Sequence, residues 1–387
     1  MANENLGNAK REKNDEFYTQ YADIEKEMNA YLEFNPDVFR NKTVLLPCDD
    51  PEWSNFTKYF AQRFQDLGLK KLISTSYAPN SKPKDIPYQP TLFEIDSPEF
   101  DPEKTYENGK IFTLTRDMTG DDAINVDDLE WSYLEGDGDF RSDEIKALRD
   151  EADIIITNPP FSLFREFLAW LVEGRVEFSM IGNMNAITYK EVFPLIKDDK
   201  MWLGSGFHAG NAYFSSPTSR DYAAGVYDEE TGLVKFRNVV WMTTIEHGRR
   251  HQPLSLMTQE ENLKFNKAVK DVGYQKYDNY DAIEVPRTDA IPSDYDRVMG
   301  VPISFLDKYS PEQFEILGSD AYDATPPTKK YSNKVRVVDG QKLKSNTGTM
   351  GCVIREETFG AGTYFDVGYP VRAVYKRIFI RHKKVAK

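Results

Sequence analysis

The residues best placed to do chemistry in this sequence are Asn158-Pro159-Pro160-Phe161. The exocyclic amine of a base such as adenine is a poor nucleophile, because its lone pair is delocalised into the ring. Two hydrogen-bond acceptors, one on each N–H, draw that nitrogen toward tetrahedral geometry and free the lone pair. The Asn158 side-chain oxygen offers one acceptor and the Pro159 carbonyl the other. Consecutive prolines hold both in place before any reaction begins, which is preorganisation. Phe161 offers a face on which a base can stack, and a base within a duplex reaches such a pocket only by flipping out. The chemistry that fits is direct methylation of a planar amino nitrogen, with no covalent nucleophile.

These four residues need a rigid mount, and the flanking sequence supplies one. Ile154-Ile155-Ile156-Thr157 is a short β-branched apolar run of the kind found in buried parallel strands. Proline lacks an N–H and disfavours helix in the residue before it, so the chain leaves the sheet at Asn158. The stretch Ser162 to Leu171 carries an apolar stripe at helical spacing. Asn158 and Phe161 are therefore expected in a loop at the carboxyl end of a strand, where open α/β sheets place their ligands. This strand, loop and helix resemble the Asn-Pro-Pro-aromatic signature of S-adenosylmethionine-dependent amino-methyltransferases.

Upstream, Asp15 to Tyr21 leads into a helical pattern from Ile24 to Leu32. Locally this is either an N-terminal cap with its hydrophobic staple or, as in amino-methyltransferases, a segment that places Phe17, Tyr18 and Thr19 beside the cofactor's methionine moiety. Lys42 to Leu46 reads as the first core strand, ending in Pro47-Cys48-Asp49-Asp50-Pro51, with Ser54 or Asn55 capping the next helix. A cofactor loop usually holds glycine here so that backbone can approach a ligand, yet none occurs between Thr43 and Gln65. Cys48, Asp49 and Asp50 are the candidate cofactor contacts, the two acids facing ribose hydroxyls or an ammonium, or else serving as turn and cap residues. Lys70 to Tyr77 reads as the second strand, and the Pro-rich Ala78 to Pro102 as a long loop or an insertion with a hairpin. Gly136-Asp137-Gly138-Asp139-Phe140 lies shortly before the Asn158 strand, where a methyltransferase fold places a loop against the cofactor's adenine; by that resemblance Asp139 would accept the amino hydrogens and Phe140 cover the ring, whereas the glycines alone suit any turn. Val176 to Asn183 reads as another buried strand, Val234 to Thr243 as a hairpin arm, and Pro311 to Gly318 as a helix with a glycine stop. The alternation from Thr43 to about Thr243 favours a mostly parallel α/β sheet.

Composition narrows the class. A chain of 387 residues buries a sizeable core and divides into two domains. No stretch approaches the roughly twenty apolar residues of a membrane span, and the N-terminus has no apolar signal core. Two cysteines, Cys48 and Cys352, suit a reducing compartment, and the four histidines lack metal-ligand spacing. Asp117 to Asp128 faintly resembles a calcium loop but lacks its central glycine and closing glutamate, so no metal is expected. The net charge of −14 disfavours a nucleic acid partner, but its distribution is uneven. Acid concentrates from Asp117 to Asp153, whereas bases gather at Arg237, Arg249, Arg250 and in a tail that includes Arg372, Lys376, Arg377 and Arg381.

The chain resembles the EcoRI-type adenine-specific DNA methyltransferases through Asp15 to Tyr21, Cys48 to Pro51, Ser54-Asn55-Phe56, Gly136 to Arg141, Asp153 to Arg165 and Met299 to Gly318. The resemblance implies a Rossmann-like catalytic domain over residues 1–245 and a DNA target-recognition region over 246–387. It implies S-adenosylmethionine as cofactor and double-stranded DNA as substrate. It further implies N6-methylation of adenine in the prokaryotic or phage-infected cytoplasm, with a cognate restriction endonuclease as the expected partner. Pro47-Cys48 suggests cytosine-C5 chemistry by a cysteine nucleophile, but it lies at the cofactor strand rather than in the Asn158 loop. A DNA-binding protein that has lost catalysis, or an RNA-base methyltransferase, is the alternative.

Overall fold

The computed structural model describes residues 17–48, 54–78, 92–95, 97–121, 123–207, 210–216, 225–321, 324–344, 349–354 and 363–383. Two compact units emerge, Met1–Asn183 with Met201–Gly248, and Met184–Lys200 with Arg249–Lys387. In chain order the first unit contains β1 (Tyr18–Thr19), α1 (Tyr21–Phe34), β2 (Thr43–Leu46), α2 (Asn55–Gln62), β3 (Lys71–Ser76), β4 (Lys110–Leu114) and β5 (Glu130–Tyr133). It continues with α3 (Asp143–Glu151), β6 (Ile154–Thr157), α4 (Phe164–Gly174), β7 (Glu177–Asn183), β8 (Trp202–Leu203), β9 (Asn211–Ser215), β10 (Tyr227–Asp228), β11 (Leu233–Arg237) and β12 (Val239–Thr243).

Unbroken apolar runs are stable only where both faces of a sheet are covered, and β2 and β6 are buried at every position. They lie in the middle of an eight-stranded sheet of order β5-β4-β3-β2-β6-β7-β12-β8. Only the four central strands pair in parallel. β4 and β5 extend one edge antiparallel, and β12 runs antiparallel between β7 and β8. The sheet is thus mixed rather than mostly parallel, its antiparallel pairs lying at the two edges. From β2 the chain moves to β3 on one side and later to β6 on the other. The ends of β2 and β6 therefore flank the point where strand order reverses.

Polar contacts lock these two strands together at both ends. The Asp153 carboxylate accepts the Thr43 N–H at 2.8 Å, and the Thr157 hydroxyl donates to the Pro47 carbonyl at 2.7 Å. One face of the sheet packs on Ile24, Met28 and Tyr31 of α1 and on Phe56, Tyr59 and Phe60 of α2. Ser54 caps α2 by accepting the Phe56 N–H at 3.1 Å. The long stretch expected as one hairpin arm is two strands in two sheets. Asn238 takes a left-handed φ of 59° and divides β11 from β12. β11 belongs with β1, β9 and β10 in a small antiparallel sheet of order β1-β9-β11-β10. The hairpin expected within Ala78 to Pro102 falls largely on residues outside the described ones.

The second unit contains β13 (Ile283–Glu284), β14 (Met299–Pro302), β15 (Phe314–Ser319), β16 (Val335–Val338), β17 (Gln341–Leu343), β18 (Cys352–Ile354), β19 (Tyr364–Asp366), β20 (Pro370–Ala373) and β21 (Arg377–His382). They form sheets of order β13-β14-β21-β15 and β17-β16-β19-β20-β18. The helix expected from Pro311 to Gly318 is the strand β15. Phe314 and Ile316 turn inward with Glu315 exposed between them, a period of two rather than 3.6. A buried ion pair, Arg377 to Glu284 at 2.6 Å, joins β21 to β13.

Candidate active site

The loop after β6 is short. Asn158, Pro159 and Pro160 leave the strand, a single 3-10 turn covers Phe161–Leu163, and α4 begins at Phe164. The Leu163 N–H closes that turn on the Pro160 carbonyl at 2.9 Å. Pro159 is buried, and Asn158 and Phe161 are half-buried.

The Asn158 carboxamide is held from one side only. Its Nδ2 donates to the Phe17 carbonyl at 2.7 Å, just before β1. A main-chain carbonyl accepts and cannot donate, so this contact fixes which amide atom is which. The Oδ1 is then directed elsewhere, buried and without a partner. A buried acceptor left unsatisfied costs about 1–3 kcal/mol, and native structures keep few of them outside functional sites. The Thr19 hydroxyl in β1 is buried and unpartnered in the same way.

Phe161 stands in a group of four aromatic rings. The Phe17 ring lies near-parallel to it, centroids 6.1 Å apart and 19° between planes, while Phe236 and Phe214 meet it edge-on at 5.4 and 6.4 Å. Phe214 is on β9 and Phe236 on β11, so the small antiparallel sheet brings both rings and Phe17 to the Asn158 loop. Neither Phe214 nor Phe236 was marked by the sequence. Each sits in a short alternating run with nothing to tell a site from a core.

The other candidates meet one strand over. Cys48 ends the turn after β2 with a left-handed φ of 65°, taking the conformation a glycine would normally supply. Gly138, at φ 84°, passes so close to the Ser76 carbonyl that a Cβ would overlap it, and the Ala78 N–H donates to the Asp137 carbonyl at 2.9 Å. This threads Asp137-Gly138-Asp139 against the end of β3. Tyr77 lies between the two loops. Burial first, then the nearby Cys48, Asp139 and Asp137, push its phenol well above the ordinary value. Burial also raises the Asp139 carboxyl, but hydrogen bonds from Arg141, through Nη2 at 2.5 Å, the main-chain N–H at 2.8 Å and Nε at 2.9 Å, outweigh it and leave the group below its usual range. Asp139 is therefore an anion and an acceptor, already partly engaged. Tyr18 is half-buried and pairs with Ser215, and Asp49 and Asp50 lie outside the described residues.

Phe140 requires a correction. Its ring is fully buried, edge-on to Phe167 at 5.0 Å and to Trp170 at 5.8 Å, with the Arg141 guanidinium 5.5 Å above it. It presents no face to a ligand and belongs to the packing of α4. The acidic loop after Asp117 is likewise structural, since the Asp128 carboxylate accepts N–H groups of Met118, Thr119 and Asn125 at 2.8 to 2.9 Å.

A family model described as adenine-specific methyltransferase EcoRI matches residues 5–383. The chain belongs to that family. Its relatives include the Type II methyltransferase M.EcoRI of Escherichia coli, 42% identical over 318 residues, which cover 81% of this chain and 89% of that protein. The Type II methyltransferase M.MgeORF184P of Mycoplasma genitalium is 32% identical over 348 residues, 87% of this chain and 93% of its own length. M.MpnI of Mycoplasma pneumoniae is 30% identical over 316 residues, 80% and 83% respectively. No solved structure gives a match. The protein is thus an enzyme, an adenine-specific methyltransferase, and the EcoRI methyltransferase family is the frame in which its Asn158 loop is to be understood.

Proposed function

We propose that this protein transfers a methyl group from S-adenosylmethionine to N6 of an adenine flipped out of double-stranded DNA. The observation that carries this is the Asn158 Oδ1, buried and unpartnered while Nδ2 is pinned on Phe17. An acceptor so placed fits one N–H of the adenine amine. The Pro159 carbonyl takes the second, and the pair localises the N6 lone pair. Phe161 stacks on the base, and the residual N6 proton leaves to water.

The sheet supports a Rossmann-like assignment for the first unit. Parallel β3, β2, β6 and β7 with an antiparallel β12 inserted before β8 put Asn158 and Cys48 at the reversal point. When bound, S-adenosylmethionine supplies an activated methyl group. The residues present fit such a cofactor: the unpartnered Thr19 hydroxyl, the Cys48 turn, and Asp139 beside Tyr77. Asp49 and Asp50 join this set as sequence candidates, whereas Phe140 is left out.

The second unit is proposed as the target-recognition region. Between residues 329 and 344 it carries Lys329, Lys330, Lys334, Arg336, Lys342 and Lys344 against the single acid Asp339, on a chain whose net charge is −14. All of these bases except Lys334 are exposed, as phosphate contacts must be. Site-specific methylation of this kind protects DNA from a restriction endonuclease of the same specificity, which makes such an enzyme the expected partner and the cytoplasm the expected compartment.

The deciding experiment is transfer of labelled methyl from S-adenosylmethionine to duplex DNA, with the product nucleosides separated. Label on N6-methyladenine is expected. Label on a cytosine product, or cofactor binding without label on DNA, would overturn the proposal.

A further inference from the structure

We infer that Asn55, given the role proposed for Asn158, is a positioning residue that orients the catalytic carboxamide through β1. In extended backbone, carbonyls two residues apart point to the same side. Phe17 and Thr19 stand two apart, and each carbonyl accepts a side-chain amide at 2.7 Å: Phe17 from Asn158 Nδ2, and Thr19 from Asn55 Nδ2. The two carboxamides thus grip one short stretch of main chain, one from the start of α2 and the other from the loop after β6.

The mechanical consequence depends on what ties β1 to the packed core. It has two residues and, among the described residues, pairs with β9, as Tyr18 with Ser215 and Thr19 with Phe214, while the Phe17 ring just before it packs on Phe161 and Phe236. Asn55, by contrast, sits on a helix whose Phe56, Tyr59 and Phe60 are packed in the core of the first unit. Its amide is available for β1 because Ser54 takes the capping role. Asn55 therefore transmits the position of a packed helix to the Thr19 carbonyl, to the Phe17 carbonyl two residues away, and so to Asn158. Without it this stretch keeps its β9 pairing and the Phe17 ring contacts but loses the side-chain hydrogen bond that ties it to α2. A small drift of the Phe17 carbonyl turns Oδ1 away from the amine and lowers the rate at full occupancy.

The test uses the full-length protein with Asn55→Ala, Asn55→Asp and Asn55→Gln. Methyl transfer from labelled S-adenosylmethionine is measured in a single turnover, on an unmethylated duplex that the wild type labels. Both substrates are saturating, so that changes in affinity drop out. N55A is expected to be about 5- to 10-fold slower, the worth of one hydrogen bond. N55D is expected to be at least as slow, since it sets a carboxylate against the Thr19 carbonyl. N55Q, which restores a donor, is expected within about 3-fold of wild type. Rates equal to wild type for N55A and N55D would overturn the inference, even with weakened cofactor binding, because a purely structural residue leaves the saturated rate alone. Should N55A fail to fold, the near-isosteric N55D compared with N55Q decides alone. Wild type that labels no DNA would instead remove the role of Asn158, and this inference with it.

Discussion

Two aromatic clusters in the first unit look alike in sequence and differ in what surrounds them. Phe161, following Asn-Pro-Pro, stands half-buried with Phe17, Phe214 and Phe236, beside a carboxamide oxygen that has no partner. Phe140, following Gly-Asp-Gly-Asp, is sealed against Phe167 and Trp170, under an arginine whose charge is met by Asp139. Both phenylalanines end a loop and precede a helix. What separates the candidate binding surface from the core here is an accessible ring face. Phe161 has one, beside an unpartnered acceptor, whereas Phe140, packed on a Trp170 whose Nε1 is itself without a partner, has none.

Substitutions can break this contrast or sharpen it. The largest effect is expected from Phe140→Ala, which opens a cavity and should cost about 3–5 kcal/mol of stability, read by denaturant unfolding. If the protein remains as stable as wild type and loses cofactor affinity instead, Phe140 is a ligand residue after all. Asn158→Ala should lower the transfer rate by roughly 10²–10³-fold, the usual worth of one preorganised polar group at a reacting centre, with cofactor affinity by calorimetry unchanged. A parallel loss of cofactor binding would show that its oxygen faces the cofactor rather than the base.

Phe161→Ala should weaken the complex with an extrahelical adenine by about 1–3 kcal/mol while lowering the melting temperature less than Phe140→Ala does, since its half-buried ring loses only part of its packing. The smallest effect is expected at Cys48. Its left-handed φ is strained for any side chain, so Cys48→Gly should be neutral to slightly stabilising, by up to about 1 kcal/mol, and should retain methyl transfer. Complete loss of activity in that variant, with the fold and cofactor binding intact, would point to the thiol as a reacting group.

Much of the site could be read along the chain because its parts are local. Ile154 to Thr157 is apolar and β-branched, proline stops it, and an apolar stripe starts the helix, so strand, loop and helix follow from a few adjacent residues. Ser54 as a helix cap was legible for the same reason. Other features turned on partners distant in sequence. Val234 to Thr243 reads as a single arm because nothing in its composition says that Asn238 turns left-handed and sends its two halves to different sheets. Pro311 to Gly318 carries helix-like punctuation, yet its residues pair with Ile378 to His382 as a strand, tertiary pairing overriding local signals.

The sequence by itself determined the candidate tetrad Asn158 to Phe161, its mount at the end of a buried strand, and the family to which the chain belongs, since each depends on residue identities in unbroken order. Only the tertiary structure decided that Phe17 lends its carbonyl to Asn158 across 141 positions, that Asn55 holds the neighbouring carbonyl, and that Phe140 is closed off. Hydrogen-bond partners and ring faces are assigned by which chain segments the packed core brings within about 3–4 Å, and no local pattern encodes that proximity.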